Sequence, residues 1–127
     1  MAVKSIISTE LAPAAIGTYS QAVKVDNTVY ISGQIPLQPD TMEMVTESFD
    51  AQAIQVFENL KAVAQAADGQ LSDFVKITVL LSDMKYFPNV NEIMSQYFTA
   101  PYPARAAFAV KALPKDADIE IDAVMVL

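Results

Sequence analysis

Histidine and cysteine are both absent from this chain of 127 residues, and arginine occurs once, at position 105. The first two absences remove Ser-His-Asp and Cys-His nucleophile systems. They also remove every zinc site built on imidazole or thiolate, so no metal is expected. The usual near-neutral general base goes with them, and acid–base work falls to Asp, Glu, Tyr or Lys. Without cysteine there are no disulfides to point to an oxidising compartment, which leaves the cytoplasm as the default location. Only three glycines occur, at 17, 33 and 69, so no multi-glycine phosphate loop can be assembled. No run approaches the ~18 apolar residues that a membrane helix needs, and the N-terminal Met1-Ala2-Val3-Lys4-Ser5-Ile6-Ile7 lacks the apolar core of a secretory signal.

Charge is short on one side. The net charge is −7, and the lysines are scattered at 4, 24, 61, 76, 85, 111 and 115. A phosphate backbone is held by clustered cations, so nucleic acid is not expected as a partner. What the chain has in excess is apolar residues: 53% are hydrophobic and 18% charged, against about half and about a quarter in ordinary domains. A surface of that kind favours self-association.

The length fits a single domain, residues 1–127. Residues 19–25 and 28–33 are expected as two strands around a turn at Asp26-Asn27, and residues 36–45, with two prolines, as a loop. Phe49, Ala53, Val56, Phe57, Leu60, Val63, Ala64 and Ala67 recur at helical spacing, so a helix is expected over 49–67. Ser48 is its candidate N-cap, and Gly69 its left-handed C-terminal residue. Val75, Ile77, Val79 and Leu81 alternate with Lys76 and Thr78, which marks a half-buried strand over 74–82. A second helix follows Pro88 and stops before Pro101 and Pro103. Strands at 105–110 and 119–126 flank a turn at Pro114-Lys115-Asp116, which is expected to join them as a hairpin. The order β-β-α-β-α-β-β describes an α/β (α+β) fold, a mixed sheet of five or six strands with two helices on one face. The other face is left for neighbouring subunits.

Arg105 stands at the mouth of a nearly apolar strand, Arg105 to Val110. A guanidinium there is either a planar clamp for a small carboxylate or an edge-strand cation paired with Asp or Glu, or reaching solvent. Glu120 alternates with Ile119 and Ile121. It is either a partly desolvated acid–base group with a raised pKa or an exposed strand carboxylate. In the expected hairpin, Arg105 and Glu120 line one surface. Gly17 and Gly33 flank the first hairpin, where a glycine marks a close backbone approach or a turn. Tyr19 offers a phenol, and Asn91 a polar group on the second helix, to a site or to solvent.

Leu11-Ala12-Pro13-Ala14-Ala15-Ile16-Gly17-Thr18-Tyr19-Ser20-Gln21-Ala22, Ser32-Gly33-Gln34-Ile35-Pro36, Val90-Asn91 before Tyr97-Phe98, and Tyr102-Pro103-Ala104-Arg105 running into Leu113-Pro114-Lys115-Asp116-Ala117-Asp118-Ile119-Glu120-Ile121 together resemble the RidA/YjgF family of imine deaminases. The resemblance spans essentially the whole chain, in order. It implies a chorismate-mutase-like fold and a homotrimer with sites between subunits. It also implies cofactor-independent hydrolysis of 2-aminoacrylate and 2-iminobutanoate to 2-oxo acids and ammonia. Position by position, it implies that Arg105 binds the substrate carboxylate and Glu120 positions and deprotonates water. Tyr19, Ser32, Gly33 and Asn91 would line the pocket, and the Ala107 main chain would meet the imine nitrogen. Departures occur at Ala106-Ala107-Phe108-Ala109, where the family often carries Ser/Thr-Cys-Val-Glu/Gln, and at Thr18, where proline is common. Two other roles remain open: an endoribonuclease or translation inhibitor, also attached to members of the family, and a trimer that binds small ligands without turnover.

Overall fold

Alternation and helical periodicity divide this chain between one sheet and two helices. A computed structural model describes residues 3–127. Its strands are β1 (Lys4–Ile7), β2 (Ala22–Val25), β3 (Thr28–Gln34), β4 (Phe74–Leu81), β5 (Ala104–Ala109) and β6 (Ile119–Val126). The helices are α1 (Phe49–Ala66) and α2 (Phe87–Tyr97). The strands form one six-stranded sheet in the order β1-β2-β3-β6-β4-β5. All neighbours are antiparallel except β4 and β5, which run parallel across the α2 crossover.

The alternation in β4 and β6 is read out as two faces. Ile77, Val79 and Leu81 pair with Ala123, Ile121 and Ile119, and all six are buried under the helices. With Val56, Phe57, Leu60 and Val63 of α1 they form the centre of the core, each burial being worth about 1.5–3 kcal/mol for a large aliphatic or aromatic side chain. Helix α1 starts where expected: Ser48 Oγ accepts a hydrogen bond from the Ala51 amide at 3.0 Å, and Asp50 sits in the first turn.

The opposite face carries no helix. Ile6, Tyr30 and Phe108 lie on it and are each more than half exposed. The uncovered apolar face expected from two helices and one sheet is therefore present. No helix among the described residues is long and apolar enough to cross a membrane.

Four expectations are corrected. A first strand, β1, precedes the hairpin and was not anticipated, because Lys4-Ser5-Ile6-Ile7 is short and its alternation is weak. The strand expected from residue 19 begins at Ala22, leaving Tyr19 in the loop before it. The left-handed residue after α1 is Asp68, with φ 64°, not Gly69. Gly69 lies close against the C-terminal strand instead: a Cβ there would lie 2.7 Å from Leu127 Cδ2 and 2.9 Å from Met125 Sδ, so those side-chain ends would have to shift. Lastly, β5 and β6 are not a hairpin. β6 inserts between β3 and β4, and β5 is an edge strand paired only with β4.

Candidate active site

The corrected pairing splits the expected site in two. Arg105 pairs with Ile77, so its side chain shares the helix-covered face. Glu120 pairs with Leu80, one position out of phase with buried Val79, and projects from the open face. The surface that Arg105 and Glu120 were expected to share does not exist within one chain.

The first half is a cleft beside the guanidinium. Arg105 Nη1 donates to Asn91 Oδ1 at 2.6 Å and approaches Met94 Sδ at 3.4 Å. The guanidinium carbon lies 4.9 Å from the centroid of the Phe87 ring. A cleft of about 380 Å³ opens beside these groups, lined by Asn91, Met94, Ser95, Tyr102, Pro103 and Arg105. Asn91, an exposed residue of α2, borders this cleft with its Oδ1 on the guanidinium. Phe87, which sequence reasoning passed over because the helix was expected to start after Pro88, lies one turn before it. The signal was available: 87, 91 and 94 are spaced i, i+4, i+7 and form one stripe on α2.

The second half surrounds a carboxylate. Tyr19, Gly33 and Glu120 line one cavity of about 360 Å³, together with Ile16, Gln34 and Lys115. Gly33 lies where the β3–β6 register slips: Ile31 faces Ala123 while Gln34 faces Ile121, so β3 carries one extra residue. The bulge brings the backbone against the acid. A Cβ on Gly33 would collide with Glu120 Oε2 and stand 2.9 Å from its carboxyl carbon. The glycine serves a close approach, by the chain's own glutamate.

Half-burial raises the Glu120 pKa, and the neighbouring Asp122 charge raises it further. The group is poised to hold or release a proton nearer neutrality than an ordinary carboxylate. Gln21, almost fully buried, fastens the loop that delivers Tyr19. Its Oε1 accepts from the Thr9 amide at 2.7 Å, and its Nε2 donates to the carbonyls of Thr9, Ala12 and Pro13.

Two expected site residues line neither cavity. Ser32 spends its hydroxyl on the Ser20 carbonyl, and its amide donates to the Gln21 carbonyl at 3.0 Å. Its visible work is to tie the loop to β3. Ala107 lies mid-strand on β5, whose outer edge is unpaired within the chain. Lys115 was read only as a turn residue. It adopts a left-handed conformation (φ 56°, ψ 27°) beside the Glu120 cavity.

The chain is an α+β protein whose mixed sheet carries a guanidinium beside a cleft on one face and a carboxyl with a raised pKa in a cavity on the other. The chain belongs to the RidA/YjgF family: the family model described as Endoribonuclease L-PSP matches residues 9–127. The chain is 46% identical over 127 residues to the 2-iminobutanoate/2-iminopropanoate deaminase of Dermatophagoides farinae, covering 100% of this chain and 99% of that protein. The human protein of the same name is 48% identical over 124 residues, covering 98% of this chain and 90% of its own. The crystal structure of RidA from an Antarctic Psychrobacter superposes with a TM-score of 0.94 at 54% identity, covering 97% of this chain and 99% of that one.

Proposed function

We propose that this protein is a deaminase of 2-imino acids, hydrolysing 2-aminoacrylate and 2-iminobutanoate to 2-oxo acids and ammonia. The observation that carries the reading is that Arg105 is braced by neutral groups, Asn91, Met94 and Phe87, beside an open cleft. A guanidinium paired with an internal carboxylate would be spent. This one keeps its charge for an incoming anion. The names of relatives at 46–48% identity point to the same substrate class.

In this reading Arg105 holds the substrate carboxylate. Glu120 takes a proton from water as it attacks the imine carbon, then returns one to the departing nitrogen. Water adds, ammonia leaves and the 2-oxo acid remains, so neither a nucleophilic side chain nor a cofactor enters the reaction. Tyr19 and Gly33 border the acid, and the Ala107 main chain on the open edge of β5 meets the imine nitrogen. The two halves join across an interface: Arg105 and Asn91 of one subunit face Tyr19, Gly33 and Glu120 of the next in a homotrimer built on the open sheet face. We place the trimer in the cytoplasm and treat residues 1–127 as its one domain. The negative charge and the single arginine speak against the nuclease activity that the family model's description names.

The direct test couples a threonine dehydratase to the protein and follows 2-oxobutanoate and ammonia. Wild type is expected to accelerate both above the spontaneous rate, and Arg105→Ala to return them nearly to it. A wild type that adds nothing to the spontaneous rate would sink the assignment. A second outcome probes the carboxyl pocket. Gly33→Ala forces the Glu120 carboxylate aside, and a displacement of that size is expected to lower kcat/KM about 10- to 100-fold. Because Gly33 needs no left-handed backbone, the midpoint of thermal unfolding should move little by comparison.

A further inference from the structure

We propose that Phe87 is a positioning residue for the carboxylate site, the shelf that sets the Arg105 guanidinium in the plane from which it clamps the substrate. The inference rests on the role given above to Arg105 and extends it to a side chain that touches the substrate through no atom of its own. The Phe87 ring lies under the guanidinium at 4.9 Å, a contact in which the negative face of the ring attracts the cation. Asn91 Oδ1 takes the Nη1 hydrogen bond at 2.6 Å. Among the described residues Nε and Nη2 have no hydrogen-bond partner. An aromatic face holds a cation without consuming its donors. The ring and the amide together therefore leave one whole edge of the fork, Nε with Nη2, for a bidentate carboxylate.

The shelf itself is rigid. Phe87 opens α2 in a helical conformation (φ −57°, ψ −44°), and Pro88 fixes the next residue in the first turn. Behind the ring stands the hydrophobic core, against which Phe87 is packed. Tyr86, the residue before it, stacks on Phe49 of α1 at 4.2 Å between ring centroids, tying the entry of α2 to α1.

The test compares Phe87→Leu, which keeps apolar volume and loses the ring face, with Phe87→Tyr, which keeps the face. Phe87→Leu is expected to raise KM for 2-iminobutanoate about 3- to 30-fold, the reach of a cation–π contact, with kcat within about twofold of wild type. Phe87→Tyr is expected to restore KM. Calorimetric titration with the product 2-oxobutanoate should show the same weakening for Phe87→Leu. In an Arg105→Ala background Phe87→Leu should cost nothing further, because its effect passes through the missing guanidinium. Unchanged KM and product affinity in Phe87→Leu, failure of Phe87→Tyr to restore them, or a loss that persists without Arg105 would each overturn the proposal. A wild type without turnover that still binds 2-oxobutanoate through Arg105 sinks the deaminase reading alone and leaves the shelf to be decided by the titrations. A wild type that does neither overturns both.

Discussion

Glu120→Gln is expected to lose about 10²- to 10⁴-fold in kcat/KM, the range supplied by a positioned acid–base group, while remaining at least as stable as wild type at neutral pH. The two halves of that outcome have one cause. The fold half-buries the Glu120 carboxyl and sets Asp122 beside it, and both raise its pKa above the ordinary carboxylate range. A carboxyl with a raised folded-state pKa binds its proton more tightly in the folded chain than in the unfolded one. Its favourable contribution is fully present below the unfolded pKa and disappears as pH rises through the folded value. At neutral pH the wild type therefore carries a penalised charge that glutamine removes. At pH values below the ordinary carboxyl range both proteins are uncharged at this position and their stabilities should converge. Activity runs the opposite way, since the ionised form is the one that accepts the proton of water. Wild-type kcat/KM should fall on acidification through the raised pKa, at a higher pH than an ordinary carboxylate would give. Thermal unfolding of both proteins across pH, beside the pH–rate profile of wild type, measures all of this. A Glu120→Gln protein that is destabilised at neutral pH while keeping its activity would assign the side chain a structural task.

The local elements of this fold are written in short stretches of sequence. The period of Val56, Phe57, Leu60 and Val63 identifies α1, Ser48 marks its start, and the alternation of β6 separates Ile119, Ile121 and Ala123 from Glu120 and Asp122. What local pattern does not contain is which strands become neighbours. Pro114-Lys115-Asp116 makes a tight turn with two consecutive left-handed residues, Lys115 and Asp116, and a tight turn between two strands reads naturally as a hairpin. The pairing was decided elsewhere. The α2 crossover lays β5 parallel to β4, and β6 fills the place between β3 and β4. That long-range choice reverses the face on which Arg105 lies relative to Glu120. Five of the expected residues line the two cavities, but their grouping was not legible: Arg105 with Asn91, and Tyr19 with Gly33 and Glu120. Phe87 is hidden in the sequence because the proline one residue later reads as a helix boundary, although proline is at home in a first turn.

Two inactive variants mixed together are expected to recover activity, and this outcome follows directly from the grouping. Arg105 projects toward the helices from an edge strand, and Glu120 projects from the open face. β5 and β6 lie two strand spacings apart, about 10 Å. The two residues are set at Ile77 and Leu80 of the intervening β4, about 10 Å apart along it and on opposite faces, too far for one small imino acid to touch both groups of a single chain. If the acid of one subunit meets the guanidinium of the next, Arg105→Ala supplies an intact Glu120, Glu120→Gln supplies an intact Arg105, and each alone runs near the spontaneous rate. In a cyclic trimer assembled at random from equal amounts of the two, about one quarter of the interfaces unite both intact residues. Co-expression, or joint unfolding and refolding, should therefore yield up to about a quarter of the wild-type rate per site, whereas mixing without subunit exchange yields none. The same preparation carrying both substitutions in every chain is the control and should stay inactive. Recovery in the mixture cannot arise from a site contained in one subunit, since every subunit present is then defective. Its absence, in material shown by native mass spectrometry to be mixed trimers, would return Arg105 and Glu120 to separate roles and would remove the shared cleft from the proposed chemistry.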